Sequence, residues 1–410
     1  FSVLDTQTGA TYSKDEPLLY WDLLTEGIRV FAFSPDSKTL VYINEIKNHP
    51  TLYKVNLETL DPTKTTLASS KMFAREYSIA EVLWKDADTL LFVANRENPY
   101  QWALYQYTIS TGALKQLLTD VSYATNIDRV GNLLLLSTTS ATGNEPKVYD
   151  LDTGVLHRFK LDELAATPTK GKVVTTLKHK LGGVFLLEAN RNSDTLLVWL
   201  HGGPYRQTST SYHPYSSYGV YDWILEEARL ANVGVLKVDY PGSAGYGRPF
   251  AESITGNVGV KDALEVKNSV IDFAKRNSYK NIYVMGNSYG GYLALKLLVD
   301  SPAIYKGAIS INGVADWTTM LSALNTSIFN VQFGGTVGDE NYTEYAKASV
   351  YNGIDKLTTQ KILLAHAEKD MSVPYSQSTG LHASLISQNK NATLLTLPGE
   401  DHVFKKPESI

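Results

Sequence analysis

Short apolar runs separated by polar turns fill the first part of the chain. Residues 38–43 and 52–57, then 89–94 and 103–107, then 132–137 and 147–151 read as successive pairs of β-strands. Gly9, Thr59-Leu60, Gly112 and Gly154 mark turns between them. The unit recurs about every 40–50 residues, the period of a β-propeller blade. The turn Ser34-Pro35-Asp36-Ser37-Lys38 suits the opening of a blade strand. Residues 1–165 are therefore expected to form three blades and the tail of a fourth, an irregular β-sandwich being the alternative. On this count the first strand, near Val3, is either an unpaired edge or pairs with the strand near Val148.

A polar stretch over 161–176 reads as a linker, and the pattern then changes. Apolar strands at 184–187, 196–200, 233–238, 282–285, 307–311, 362–365 and 392–397 alternate with helical segments at 221–231, 260–276, 292–298 and 376–388. In the second of these helices Ala263, Val266, Val270 and Phe273 form an apolar stripe. Such βα alternation predicts a mostly parallel sheet with helices on both faces over 176–410. In these sheets, sites lie beyond the carboxyl ends of the strands.

The stretch that organises this half is Gly286-Asn287-Ser288-Tyr289-Gly290, a G-x-S-x-G pattern between a strand and a helix. A strand that turns straight into a helix holds its middle residue in a strained conformation and pushes the serine hydroxyl out at the sheet end. Taken alone the pattern is also a glycine-rich turn with an incidental serine. A serine nucleophile needs a base, and the base an orienting acid, in the order Ser, acid, His for an α/β-hydrolase. Asp370 follows the strand at 362–365 after a short loop, with Glu368 as the rival acid. His402 follows the last strand in Pro398-Gly399-Glu400-Asp401-His402, and His382, on a helix, fits less well. An oxyanion needs two fixed N–H donors. The Tyr289 backbone offers one, and the His201-Gly202-Gly203-Pro204 loop after the strand at 196–200 offers the other.

These stretches, with Asp239-Tyr240-Pro241-Gly242-Ser243-Ala244-Gly245-Tyr246-Gly247 and residues 366–374, resemble the prolyl oligopeptidase family of serine peptidases. The resemblance covers most of 195–404. It implies a β-propeller preceding an α/β-hydrolase domain, with Ser288 as nucleophile, Asp370 as acid and His402 as base. It further implies backbone donors at Gly203 and Tyr289, as in the acylaminoacyl-peptidase branch. His201 stands where other branches place an oxyanion-hole tyrosine. The family's pocket implies a wall from Trp317 and Met320, with Tyr289 and Val373 nearby, suited to a hydrophobic or proline-like residue on the acyl side. Dipeptidyl peptidases of the family hold the substrate amine with a propeller Glu pair, and no adjacent Glu pair occurs before residue 176. The blade count is about half the family's, and only residues 403–410 follow His402. The chain is therefore expected to be a fragment or a reduced member. An open arc exposes apolar faces and strand edges, so self-association into a homo-oligomer is expected.

Composition adds exclusions. A formal net charge of -4 argues against nucleic acid as a partner. No apolar run is long enough to span a membrane. The chain has no cysteine, so thiol catalysis, disulfides and thiolate metal sites are excluded, and neither metal nor cofactor is expected. A cysteine-free chain suits a cytoplasmic or a periplasmic location. It starts at Phe1, so its natural N-terminus is expected to be missing. The reading is a soluble serine peptidase acting on short peptides. An esterase with the same triad and an inactive propeller-bearing binding protein are the alternatives.

Overall fold

The structure, a computed structural model, describes residues 2–13, 30–45, 48–60, 70–73, 77–118, 123–140, 143–158, 173–179, 182–187, 193–209, 212–213, 218–323, 327–335 and 341–406. The chain divides into two units, Phe1–Pro168 with Ala244–Pro249, and Thr169–Ser243 with Phe250–Ile410.

The first unit is built from antiparallel meanders. β1 (Ser2–Leu4) and β2 (Thr11–Ser13) pair as a hairpin. β3 (Phe31–Phe33), β4 (Thr39–Asn44), β5 (Thr51–Asn56) and β6 (Ser70–Lys71) form a four-stranded sheet. β7 (Ile79–Trp84), β8 (Thr89–Ala94), β9 (Ala103–Thr108) and β10 (Ala113–Gln116) form a second. β11 (Tyr123–Val130), β12 (Leu133–Ser140), β13 (Gly143–Asp150) and β14 (Leu156–Arg158) form a third.

Side-chain alternation explains how the sheets stack. On β8, Leu90 and Phe92 join a core with Val41 and Ile43 of the preceding sheet. Leu91 and Val93 join another with Leu134 and Leu136 of the following sheet. The middle sheet thus buries one face on its predecessor and one on its successor, as propeller blades do. On the last sheet Leu133 and Leu135, at the alternate positions of β12, are about half exposed.

The strand near Val3 departs from the expectation. It pairs with β2, Val3 opposite Tyr12, and not with the strand near Val148. The cause is local. Asp5 accepts N–H groups from Gln7 and Thr8 and the Thr8 hydroxyl, fixing a tight turn. Closing so short a loop costs far less entropy than a distant pairing.

The second unit centres on an eight-stranded sheet. Its strands are β15 (Val173–His179), β16 (Gly182–Leu187), β17 (Thr195–Leu200), β18 (Gly234–Val238), β19 (Asn281–Asn287), β20 (Tyr305–Ile311), β21 (Lys361–Ala367) and β22 (Ala392–Leu397), in the order β15-β16-β18-β17-β19-β20-β21-β22. The six strands from β18 to β22 run parallel, and β15 and β16 join antiparallel at one edge. The linker expected over 161–176 is corrected at its end, because β15 begins at Val173. Its positions 161–172 lie outside the described residues. A strand of ordinary polarity such as β15 is stabilised by its partner β16 and carries little pattern of its own.

Helices α1 (Gly219–Leu230), α2 (Arg248–Ala251), α3 (Lys261–Arg276), α4 (Tyr289–Asp300), α5 (Trp317–Ala323), α6 (Ser327–Gln332), α7 (Tyr342–Ala348) and α8 (Ser376–Ser387), with 3-10 turns at Glu252–Ile254 and Val350–Lys356, complete the described elements. Leu196, Val198 and Leu200 of β17 pack on one face with α3 and α4. Leu197 and Trp199 pack on the other with Tyr221 and Leu225 of α1. Both faces are therefore covered, as a parallel sheet requires. β17 is the switch point, with β18 on one side and β19 on the other, so the crevice beyond its carboxyl end is where a site is expected.

Among the described glycines of this unit, the closest approach to backbone lies there. A Cβ on Gly290 would collide with the Leu200 and His201 carbonyl oxygens, whereas one on Gly219 meets open space. Gly290→Ala is therefore expected to cost at least the roughly 1–3 kcal/mol of an overpacked core. Gly219→Ala is expected to be neutral or mildly stabilising. Urea unfolding of the two variants measures both, and equal midpoints would contradict this packing.

Candidate active site

Ser288 is the single residue between β19 and α4. Its φ of 56° and ψ of -121° are a conformation that side chains rarely adopt. Two bonds hold it there. Its N–H donates to the Ile311 carbonyl at 2.8 Å, and its carbonyl accepts from Tyr292 N–H at 3.0 Å. The glycines make the turn sterically available. Gly286 faces the Gly290 carbonyl, Gly290 faces the end of β17, and neither leaves room for a side chain. Among the described residues Ser288 Oγ makes no hydrogen bond.

Asp370 closes the loop after β21 and is buried. Its Oδ1 accepts the N–H groups of Ser372 (2.8 Å) and Val373 (2.7 Å). Its Oδ2 lies 2.7 Å from His402 Nδ1. A carboxylate can only accept, so Nδ1 carries the proton and Nε2 of the neutral ring is left as an acceptor. Glu368, the rival acid, instead accepts the Gly399 N–H. The His402 loop is held by carboxylates throughout. Asp401 Oδ1 accepts the His402 and Met371 N–H groups, and Glu400 those of Lys405 and Lys406. These bonds hold the Asp401 carboxyl below its usual range, chiefly through the Met371 N–H.

One cavity of about 400 Å³ is lined by Ser288 and by 371–373, the turn that Asp370 caps. Gly203 and Tyr289 also line it. Trp317, Met320 and Val373 stand in its wall, and each is buried. Sequence reading missed Val314 and Phe329 in the same wall. Phe329 lies on α6, whose few residues carry no helical period.

The His201 loop is anchored from behind. His201 is buried, its Nε2 lies 2.9 Å from Ser243 Oγ, and its ring stacks on Tyr240 at 4.5 Å. Gly202 N–H donates to the Tyr218 hydroxyl at 2.9 Å. In this position His201 supports the loop from within, and its ring is not free to donate to a substrate.

Three further residues carry weight here. Asn312 donates to the His402 carbonyl at 3.1 Å and accepts the Ala367 N–H at 2.8 Å, so it joins the ends of β20 and β21 to the histidine loop. His366 donates Nε2–H to the Val373 carbonyl at 2.9 Å and accepts from Ser378 Oγ at 2.7 Å. Burial lowers its pKa, which keeps it neutral beside Asp370. Asp262, in the first turn of α3, is fully buried, and its Oδ2 accepts the Tyr289 hydroxyl at 2.6 Å. The partners of Asn312 and Asp262 lie 27 to 90 residues away in the chain, and only the fold brings them together. The one available signal was a polar residue inside an apolar pattern, as at Asp262 between Val260 and Ala263.

A second histidine–carboxylate pair is buried under α1. His213 Nδ1 lies 2.7 Å from Asp222 Oδ1, but its Nε2 accepts from Trp199 Nε1 at 3.2 Å. Both ring nitrogens are occupied, so this pair braces the core. Burial pushes the His213 pKa down, against the pull of Asp222.

Residues 220–410 match the Prolyl oligopeptidase family. The chain is 23% identical over 266 residues to acylamino-acid-releasing enzyme 1 of Oryza sativa subsp. japonica, covering 62% of this chain and 33% of that protein. It is 26% identical over 227 residues to dipeptidyl aminopeptidase BIII of Pseudoxanthomonas mexicana, covering 52% of this chain and 31% of that protein. The chain thus spans about a third of the length of these relatives. Among solved structures it resembles a puromycin hydrolase, with a TM-score of 0.76 and 18% identity over 100% of this chain and 67% of that one. Propeller followed by α/β-hydrolase is the fold of these neighbours, and the sheets described above agree with it.

Burial raises the Asp262 pKa from 3.8 to about 6, although Tyr289 and the Ala263 N–H favour its charged form. The folded value lies above the unfolded one. Its contribution to stability is therefore present below about pH 4 and is lost as pH rises to about 6. The loss is on the order of 3 kcal/mol. Asp262→Asn lacks this titration. Thermal unfolding from pH 4 to 7 should show the variant gaining on the parent as pH rises, and parallel curves would contradict the assignment.

Proposed function

We propose that this chain, which carries a prolyl oligopeptidase family domain over residues 220–410, is a serine peptidase that cleaves short peptides through an acyl-enzyme. The observation that carries this reading is the Asp370–His402 bond at 2.7 Å, with Asp370 capping a turn that shares its cavity with the strained Ser288. Ser288 Oγ attacks the scissile carbonyl carbon and gives its proton to His402 Nε2. Asp370 orients the ring and stabilises the imidazolium. The tetrahedral oxyanion is held by the backbone N–H groups of Gly203 and Tyr289. Collapse breaks the C–N bond, His402 returns the proton to the leaving amine, and water then releases the acyl group by the same steps.

The substrate side rests on the cavity. Trp317, Met320, Phe329 and Val373 give it an apolar wall that suits a hydrophobic side chain on the acyl side. Named relatives release acylamino acids or dipeptides, which supports an exo- or oligopeptidase of one of those two types. Matched peptides with free and acetylated N-termini separate the two. The described part of the first unit does not discriminate between them.

Ser288→Ala should abolish turnover and fluorophosphonate labelling while leaving the melting temperature near that of the parent. Asp370→Asn should lower kcat by about 10⁴-fold, because the amide favours the wrong histidine tautomer. Steady-state peptide hydrolysis measures both, and retained turnover in Ser288→Ala would refute the nucleophile.

A further inference from the structure

We propose that Asp262 is a positioning residue of the acyl-transfer site and acts through the side chain of Tyr289. The inference rests on the serine-peptidase reading, in which the Tyr289 N–H is an oxyanion donor. Tyr289 has two parts at the site. Its backbone N–H follows the nucleophile directly, the residue lines the cavity, and its ring is buried among other aromatic rings. Where the N–H points depends on the backbone angles of a residue joined to Ser288, itself held in a strained conformation. The ring is the lever that fixes those angles.

That ring is clamped on its faces and bolted at its tip. It stacks on Tyr240 at 5.9 Å and on Phe329 at 6.4 Å, and meets Tyr292 edge-on at 5.4 Å. Its hydroxyl donates to Asp262 Oδ2 at 2.6 Å, a length typical of a bond to a charged acceptor. Asp262 is fixed in turn, because its Oδ1 accepts the Ala263 N–H at 2.9 Å at the start of α3. The bolt thus runs from α3 to the first residue of α4.

The choice of residue types supports a role beyond packing. A phenylalanine at 289 and an apolar residue at 262 would fill the same space without burying a carboxyl. Burying one is costly, as the raised pKa of Asp262 records. What the costly pair supplies is one fixed direction for the tyrosine, which apolar contacts alone do not define. Asp262 touches no substrate in this scheme and sets a donor through another residue.

The test is a double-mutant cycle in the full chain, with Tyr289→Phe, Asp262→Asn and the double variant. Two readouts are the second-order rate of labelling by a fluorophosphonate and the kcat and KM for a p-nitrophenyl ester. Each single variant should label and turn over roughly 10- to 100-fold more slowly, the scale for a misplaced group, with KM changed less than about twofold. The double variant should be no slower than the slower single, because both act on one bond: Tyr289→Phe removes it and Asp262→Asn replaces its carboxylate acceptor with a weaker amide. Packing alone would move stability and leave kcat near the parent value. If Asp262→Asn fails to fold, Tyr289→Phe decides: a lowered kcat supports the proposal and an unchanged one overturns it. Losses that multiply in the double variant also overturn it. An unlabelled parent chain overturns the serine-nucleophile reading and this proposal together. Labelling that is lost in Ser288→Ala yet equal in Tyr289→Phe and the parent overturns this proposal alone.

Discussion

The second unit depends on one steric constraint, the absence of room between the start of α4 and the end of β17. Gly290 lies against the carbonyl oxygens of Leu200 and His201, and Gly286 against that of Gly290. Because no side chain intervenes, the helix can begin directly where the central strand ends. Ser288 is left at the corner with a positive φ, and the His201 loop is brought alongside it. The strain of that corner is stabilised by the packing around it. Tyr292, Leu293 and Ala294 of α4 are buried in the core with Val198 and Val284. Local strain of this size persists only where surrounding contacts over-determine it.

Two histidine–carboxylate pairs in the same unit show how environment decides a pair's use. His402 and Asp370 meet at the carboxyl end of the sheet, where Nε2 of the histidine has no partner among the described residues. His213 and Asp222 meet at the same distance under α1, where Trp199 occupies Nε2 and Lys237 approaches Asp222 at 3.4 Å. The first pair can accept a proton from a neighbour. The second is sealed, and burial lowers the pKa values of both His213 and Lys237. Chemistry therefore follows from what lies beyond the pair, and the 2.7 Å contact alone does not define it.

The described blades obey a different rule. The middle sheet of the first unit is stabilised by its neighbours on both faces, so its strands divide their apolar residues between two cores. β7, like β8, is buried along its whole length, with Glu81 kept inside because its carboxylate accepts the Ile127 N–H. Burying that charge is tolerable only because the bond joins two adjacent sheets.

The sequence by itself determined the strand pairs β4 and β5, β8 and β9, and β12 and β13, the alternation of strand and helix after residue 184, and the Ser288 turn, but it left out the buried β7. Those features are local, since period and glycine placement act within a few residues. It could also propose Asp370 and His402, because their places after strand ends follow from the order of elements. Strands such as β6, β10 and β14 were not legible, because short polar strands are stabilised by partners and lack a pattern of their own. Helices α5 and α7 escaped for the same reason, being too short to show a helical period. Only the tertiary structure decided that Val3 pairs within its own hairpin and that Glu368 turns to Gly399. It likewise decided that Asn312 bonds to the His402 carbonyl and Asp262 to the Tyr289 hydroxyl. Each of those outcomes is a contact or a competition between partners, and a partner's distance in space is not written in its distance along the chain.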